Sequence, residues 1–231
     1  APDRFRFFLI KGACMENGEG NKKPAGENPL ATEKISALIR RFSIPAIISL
    51  LVNAIYNIVD QIFIGHGIGT NGIAATNVAF PLTTICTSVA LLLGVGGAAN
   101  FNLNLGAGKK EKAAYMAGNS MAGLGLAGIG IMAITLVFLK PLLHAFGATA
   151  SVMEYAQPYT WIVAFGIPFM IFTTGASPLV RADGSPTFAM ACMMAGAIFN
   201  VIFDPIFMFV FDMGIAGIAL ATTLGQILSA G

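Results

Sequence analysis

The stretch that decides the fold is residues 42–64, Phe42-Ser-Ile-Pro-Ala-Ile-Ile-Ser-Leu-Leu-Val-Asn-Ala-Ile-Tyr-Asn-Ile-Val-Asp60-Gln-Ile-Phe-Ile64. It contains one acid, Asp60, and no base, and it is long enough to cross a bilayer, which takes about 20 apolar residues. Residues 188–211 form a second stretch of the same kind, in which Asp204 is the charged residue. Because a charge at membrane depth is costly, both acids are predicted to be functional.

The composition indicates an integral membrane protein of the all-α class. Of the 231 residues, 56% are hydrophobic and 10% are charged, and the mean hydropathy is +0.77; a soluble domain has about 25% charged residues. Hydropathy and glycine- or proline-containing breaks predict six transmembrane helices. They cover residues 42–64, 78–104, 114–138, 156–178, 187–211 and 215 to beyond 231, with loops at 65–72, 106–112, 140–151, 181–186 and 212–214.

The domain organisation follows from these spans. Residues 1–14 precede Met15 and are predicted to be a non-native or extended leader, residues 15–41 a cytoplasmic amino-terminal tail, and residues 42–231 a six-helix transmembrane lobe. One side of the predicted bundle is rich in bases, whereas the other has Lys140 alone. The positive-inside rule therefore predicts a multi-pass protein of the cell membrane with a cytoplasmic amino terminus.

Polar residues on three spans are predicted to lie in one layer. With a rise of about 1.5 Å per residue, Asp60 lies roughly 6 Å, Asp204 roughly 10 Å and Thr222 roughly 12 Å below the outer boundary. Polar side chains also repeat on one helical face of each span, in the sets Asn53-Asn57-Asp60, Asn200-Asp204 and Thr222-Gln226. Facing lipid would leave them without partners, so they are predicted to line a bundle interior or an aqueous cavity.

Pro205 directly follows Asp204 and is predicted to be a hinge. A proline lacks the backbone N–H, so the carbonyl of Val201 would be released from the helical hydrogen bonds. Carboxylate, carboxamide, hydroxyl and carbonyl oxygens suit a small cation such as sodium, with Asp60, Asn200, Asp204 and Thr222 as the candidate ligands. The same set equally suits a site that binds and releases a proton, and the sequence leaves both possibilities open.

The sequence gives little support for nucleotide, metal or nucleic-acid binding or for an enzyme. Two segments match G-x-G-x-x-G, Gly67-Gly69-Gly72 and Gly123-Gly125-Gly128, but the first is a predicted turn and the second lies in an apolar span, where small residues allow close helix contact. The three cysteines form no disulfide framework or metal motif. Neither an enzyme nor a cofactor is predicted, and the basic loop 109–112 is interpreted as an inner loop and not as a nucleic-acid site.

Five segments in order resemble the MATE family of multidrug and toxic compound extrusion transporters, in its prokaryotic branch. They are Asn53-Ala-Ile-Tyr-Asn-Ile-Val-Asp60-Gln-Ile-Phe-Ile-Gly65, Leu105-Gly-Ala-Gly-Lys109, Arg181-Ala-Asp-Gly-Ser-Pro186, Asn200-Val-Ile-Phe-Asp-Pro205 and Gly217-Ile-Ala-Leu-Ala-Thr222. Asn102 and Asn104 depart from the family's Ser or Arg before the Leu-Gly-Ala-Gly loop.

The resemblance implies one lobe of a twelve-helix antiporter. Such transporters export cationic or amphipathic compounds and are driven by a proton or sodium gradient. This chain resembles the amino-terminal lobe, with the carboxy-terminal lobe absent. By resemblance, Asp60, Asn200, Asp204 and Thr222 form the coupling site. Helical spacing adds Asn53, Asn57 and Gln226 as supporting polar lining. The alternatives are a flippase of related fold for lipid-linked precursors, and a non-transporting half-transporter that needs a partner chain.

Overall fold

The computed structural model describes residues 35–230, and this part of the chain consists of helices without strands. The helices are α1 Ile35–Gly67, α2 Thr70–Gly106, α3 Lys110–Val137, α4 Leu139–Ala145, α5 Ala150–Ala182, α6 Pro186–Pro205 and α7 Gly214–Ala230, with a π-helical turn, Ile206–Val210, after α6. The predicted leader 1–14 and most of the predicted tail 15–41 lie outside the described residues.

The helices have the lengths and compositions of membrane spans. Five segments are long and apolar enough to cross a bilayer: Phe42–Gly67, Thr70–Gly106, Lys110–Val137, Ala150–Ala182 and Pro186–Val210. The sixth predicted span corresponds to α7, an apolar helix whose described part has 17 residues. The prediction of an all-α, multi-pass membrane protein is therefore confirmed.

Helix α5 is at the centre of the bundle. It packs against α2, α3 and α7, whereas α1 packs mainly against α6, and α6 packs against α7. Small residues allow the closest approaches: Gly94 of α2 meets the backbone of Gly175, and Gly128 of α3 meets Pro168. Gly128 thus has the close-packing role predicted for the second glycine motif, while Gly125 faces open space.

The predicted loop 140–151 is partly wrong, because it contains most of the short helix α4. Leu139 and Leu143, four residues apart, both face inward and are 7% and 1% exposed. Their burial beside the start of α5 stabilises a helix far too short to span a membrane. The local sequence suggested a loop because it does not show the buried residues of other helices against which Leu139 and Leu143 pack.

The other turns are shorter than predicted. The glycine-rich segment 65–72 was predicted to be a loop, but α1 continues to Gly67 and α2 begins at Thr70. Gly69, with a φ of 81°, makes the chain reversal, since a left-handed backbone conformation is easily adopted by glycine. Met208 packs directly against Gly67, the last residue of α1, and leaves no room for a side chain there.

Candidate functional site

Asp60 and Asp204 face each other across the contact between α1 and α6. Asp60 is 8% exposed and Asp204 is completely buried. Their carboxyl groups are neighbours across this contact. Both oxygens of Asp204 and Oδ1 of Asp60 are buried without a hydrogen-bond donor among the described residues. The structure therefore brings the two acids together, and no base of residues 35–230 pairs with either of them.

Asn200 and Thr222 form the neighbouring wall of this pocket. Asn200 lies one helical turn before Asp204 on α6, is 3% exposed, and donates from Nδ2 to Oγ1 of Thr222 over 3.3 Å. A close contact between α6 and α7 holds the pair together: a Cβ placed on Gly225 would lie 3.0 Å from the carbonyl oxygen of Gly196. The amide oxygen of Asn200 is left without a donor.

These oxygens define what the pocket can bind. Four buried oxygen atoms of Asp60, Asn200 and Asp204 lack a partner in the described structure. An unpaired buried carboxylate costs several kcal/mol, and two facing carboxylates repel each other as well. A proton held by the two acids would remove one charge, and a small cation would be coordinated by the same oxygens. Either a proton or a small cation would therefore give these buried oxygens a partner.

The backbone changes its hydrogen-bonding pattern directly after Asp204. Pro205 ends α6, and in the following π-helical turn the N–H of Phe211 donates to the carbonyl of Ile206, five residues earlier, over 3.1 Å. Single π-helical turns frequently occur at functional sites. The sequence pointed to this irregularity through Pro205, but not to its π-helical form. The hinge and the Val201 carbonyl ligand stay predictions.

The three residues predicted as supporting polar lining make contacts of their own. Asn53 and Asn57 are exposed on α1 and interact with each other, since Nδ2 of Asn57 donates to the carbonyl oxygen of Asn53 over 2.7 Å. Gln226 of α7 packs its side-chain oxygen against Gly166 of α5, and this oxygen is buried without a donor. The role of these three residues as polar lining stays a prediction.

Two tyrosines near the acids were missed in the sequence. The phenols of Tyr56 on α1 and Tyr159 on α5 lie near Asp60 and Asp204. Tyr56 precedes Asp60 by four residues, so helical spacing could have identified it. Tyr159 is far away in sequence and is brought to the site only by the packing of α5. Both phenols add polar groups at the edge of the pocket.

A buried acidic pair within a bundle of apolar spans defines a multi-pass membrane protein with an ionisable intramembrane site. The MatE family model matches residues 45–206, and the chain belongs to this family. The family resemblance stated from the sequence motifs is thereby confirmed.

Relatives and solved structures agree with this assignment. The chain is similar to the multidrug export protein MepA of Staphylococcus saprophyticus, 26% identical over 188 residues, and to that of Staphylococcus aureus, 29% identical over 189 residues. These matches cover 81% and 82% of this chain but 42% of each relative. The chain therefore spans less than half the length of these relatives.

The fold has close counterparts among crystal structures of transporters. One is a MATE protein in complex with MaD3S, with a TM-score of 0.81 and 29% identity, covering 87% of this chain and 45% of that one. Another is a multidrug resistance MATE family transporter of the MOP superfamily in an outward-facing conformation, with a TM-score of 0.81 and 28% identity. That match covers 92% of this chain and 46% of the transporter.

Proposed function

We propose that this chain carries the ion-coupling lobe of a secondary antiporter that exports cationic or amphipathic compounds in exchange for protons or sodium ions. The observation that carries the proposal is the pair of buried carboxylates, Asp60 and Asp204, which have no donor or base as partner in the described structure. Membrane spans keep such groups chiefly for ion or proton pathways.

Coupling requires that the acidic pair exist in two forms. With a proton or cation bound, the repulsion between Asp60 and Asp204 is relieved and α1 can remain packed against α6. With the ion released, repulsion and unpaired charge favour an arrangement in which the two helices admit water or separate. A substrate that prefers one arrangement and an ion that prefers the other are then exchanged, since only differential affinity shifts such an equilibrium.

The substrate class is supported by the relatives, two of which are named multidrug export proteins. Because the chain spans less than half of their length, transport is proposed for an assembly that also contains a second lobe, in the same polypeptide or in a partner chain. The unequal distribution of bases supports a cytoplasmic amino terminus in the cell membrane.

The test replaces each acid by its neutral isostere, Asp60→Asn and Asp204→Asn, in the full coding sequence that contains these residues. Efflux of a cationic dye is measured from vesicles under a proton gradient alone, a sodium gradient alone, and neither. Asp212→Asn is the matched control, because Asp212 is exposed, and its φ of 53° is readily adopted by asparagine.

Gradient-driven efflux should fall at least tenfold in both pocket variants and remain at the wild-type level in Asp212→Asn. The gradient that drives wild-type efflux identifies the coupling ion. Efflux that stays gradient-dependent in both pocket variants would refute the assignment of the coupling site. Movement of a lipid-linked precursor without any dye efflux would instead support the flippase alternative.

A further inference from the structure

Three buried apolar side chains lie one helical turn away from residues of the acidic pocket, all toward the end of the bundle where α1 ends and α7 begins. Each is four positions along the chain from its polar neighbour, and the pairs are Asp60 with Ile64, Asp204 with Met208, and Thr222 with Ile218. A separation of four places both members on the same side of a helix. The three apolar residues pack together in one cluster, which we call the apolar plug.

The apolar plug is buried within this chain. Ile64, Met208 and Ile218 are 1%, 3% and 0% exposed. Phe63 packs against the cluster, and its ring lies edge-on to the ring of Phe209, with the centroids 6.3 Å apart. Because the burial is already nearly complete in the lobe described here, a second lobe could only add to it.

Two glycines hold Met208 in the apolar plug. The methyl group of Met208 lies against Gly67, the last residue of α1, where a side chain would find no space. From the side of α7, a Cβ on Gly217 would lie 3.1 Å from the backbone nitrogen of Met208 and 2.7 Å from the carbonyl oxygen of Phe207. Met208 thus reaches from the π-helical turn to α1 while α7 packs against its backbone. Its unbranched side chain can move aside by bond rotations alone.

The acidic pair has different surroundings in its two directions. One turn before Asp204, the amide of Asn200 and the hydroxyl of Thr222 offer polar groups. One turn after Asp204, the apolar plug offers only the weakly accepting sulfur of Met208. An apolar constriction excludes ions because water does not fill it. An ion therefore meets polar groups on one side of the acids and a barrier on the other.

We propose that the apolar plug closes the acidic pair to water and ions from the end of the bundle where α1 ends, and that Met208 is its movable member. Resting on the function proposed above, this makes Met208 a residue that sets the coupling. The ion passes that end only in a state in which the plug has opened, and a substrate controls the passage by favouring one state over the other. A hydrated plug would let ions pass without export.

Access to the pocket is measured with a thiol reporter, Asp204→Cys, in the full coding sequence with all native cysteines replaced by alanine. A charged methanethiosulfonate is added to the protein in nanodiscs, where both ends of the bundle meet the solution. Met208→Gln keeps the length of the side chain and adds a polar amide, so the modification rate should rise roughly tenfold as water enters the constriction. Met208→Leu nearly conserves volume and apolar character and should leave the rate unchanged.

Met213→Gln is the matched control, because it makes the same substitution at an exposed methionine five residues further on. All variants are first checked for a monodisperse peak in size-exclusion chromatography. An unchanged modification rate in Met208→Gln would overturn the proposal. An equal rise in Met208→Leu or Met213→Gln would also overturn it, because the effect would then be a general loosening of the bundle.

A leak measurement separates the apolar plug from the function proposed for the acids. With both acids intact, Met208→Gln in sealed vesicles should let the coupling ion run down its gradient without substrate, and adding Asp204→Asn should stop this leak. Faster thiol modification without any ion leak would support the plug and refute the ion-coupling role of the acids. Unchanged modification beside acid-dependent efflux would refute the plug and leave the proposed function standing.

Discussion

The contact between Gly94 and Gly175 allows a quantitative test of the helix packing. A Cβ added at Gly94 would lie 2.7 Å from the Cα of Gly175, and the backbone carbonyl of Gly175 is closer still. Carbon atoms pack at about 3.5–4.0 Å, so Gly94→Ala requires α2 and α5 to separate by roughly 1 Å. Overpacking of this kind costs about 1–3 kcal/mol.

Gly96→Ala is the matched control, because Gly96 lies on the same helix and a Cβ there would meet nothing within 4 Å. Replacing an unstrained helical glycine by alanine gains up to about 1 kcal/mol. The propensity gain is common to both variants, so they should differ by the packing penalty alone, about 1–3 kcal/mol. For a chain of this length each kcal/mol shifts Tm by about 2–4 °C.

The assay is thermal unfolding of the purified protein in a mild detergent, followed by loss of the monodisperse peak in size-exclusion chromatography. We expect Gly94→Ala to unfold below wild type, and Gly96→Ala at or above it. If Gly94→Ala unfolds together with Gly96→Ala, the close approach of α2 and α5 is not a stabilising contact, and the central position assigned to α5 is wrong.

Three further substitutions address the pocket and its surroundings. Thr222→Val removes the acceptor for the side-chain amide of Asn200, and leaving that amide unsatisfied costs about 1–3 kcal/mol. The ion concentration for half-maximal efflux should therefore rise. An unchanged ion dependence would show that Thr222 does not belong to the coupling site. Gly217→Ala places a Cβ 2.7 Å from the carbonyl oxygen of Phe207 in the π-helical turn. It should lower Tm in the unfolding assay, and an unchanged Tm would contradict the packing of α7 on that turn. Asn57→Ala should change stability by less than about 0.5 kcal/mol because the residue is exposed; a lower rate of dye efflux with unchanged ion dependence would support its role as polar lining.

Hydropathy located the spans but not their ends. Each predicted span lies at least largely within an observed helix, because a run of apolar residues in a membrane must satisfy its backbone hydrogen bonds internally. The helices extend beyond the predicted bounds at Gly67 and Gly106, where glycines and polar residues suggested turns. At Gly67 the last turn of α1 contacts Met208, a residue distant in sequence, and such a contact is not visible in local sequence.

For the site, the sequence identified the two acids, and their depth in the membrane stays a prediction. Asp60 and Asp204 stand out because each is the only charged residue of an apolar stretch, and the cost of burying a charge makes them informative without any structure. Spacing alone also grouped Asn53, Asn57 and Gln226 with the site, and their role as polar lining stays a prediction. A helical face defined by spacing does not specify which neighbouring helix it meets.

The amino-acid sequence by itself determined that this is an all-helical membrane protein, which family it resembles, and which two acids lie within the spans. These properties follow from composition, from the length of apolar segments and from local spacing. Only the tertiary structure decided that Asp60 and Asp204 face each other, that Tyr159 lies near them, and that Met208 packs against Gly67. Each of these relationships joins residues on different helices, and their proximity is set by close helix packing at small residues such as Gly196 and Gly225.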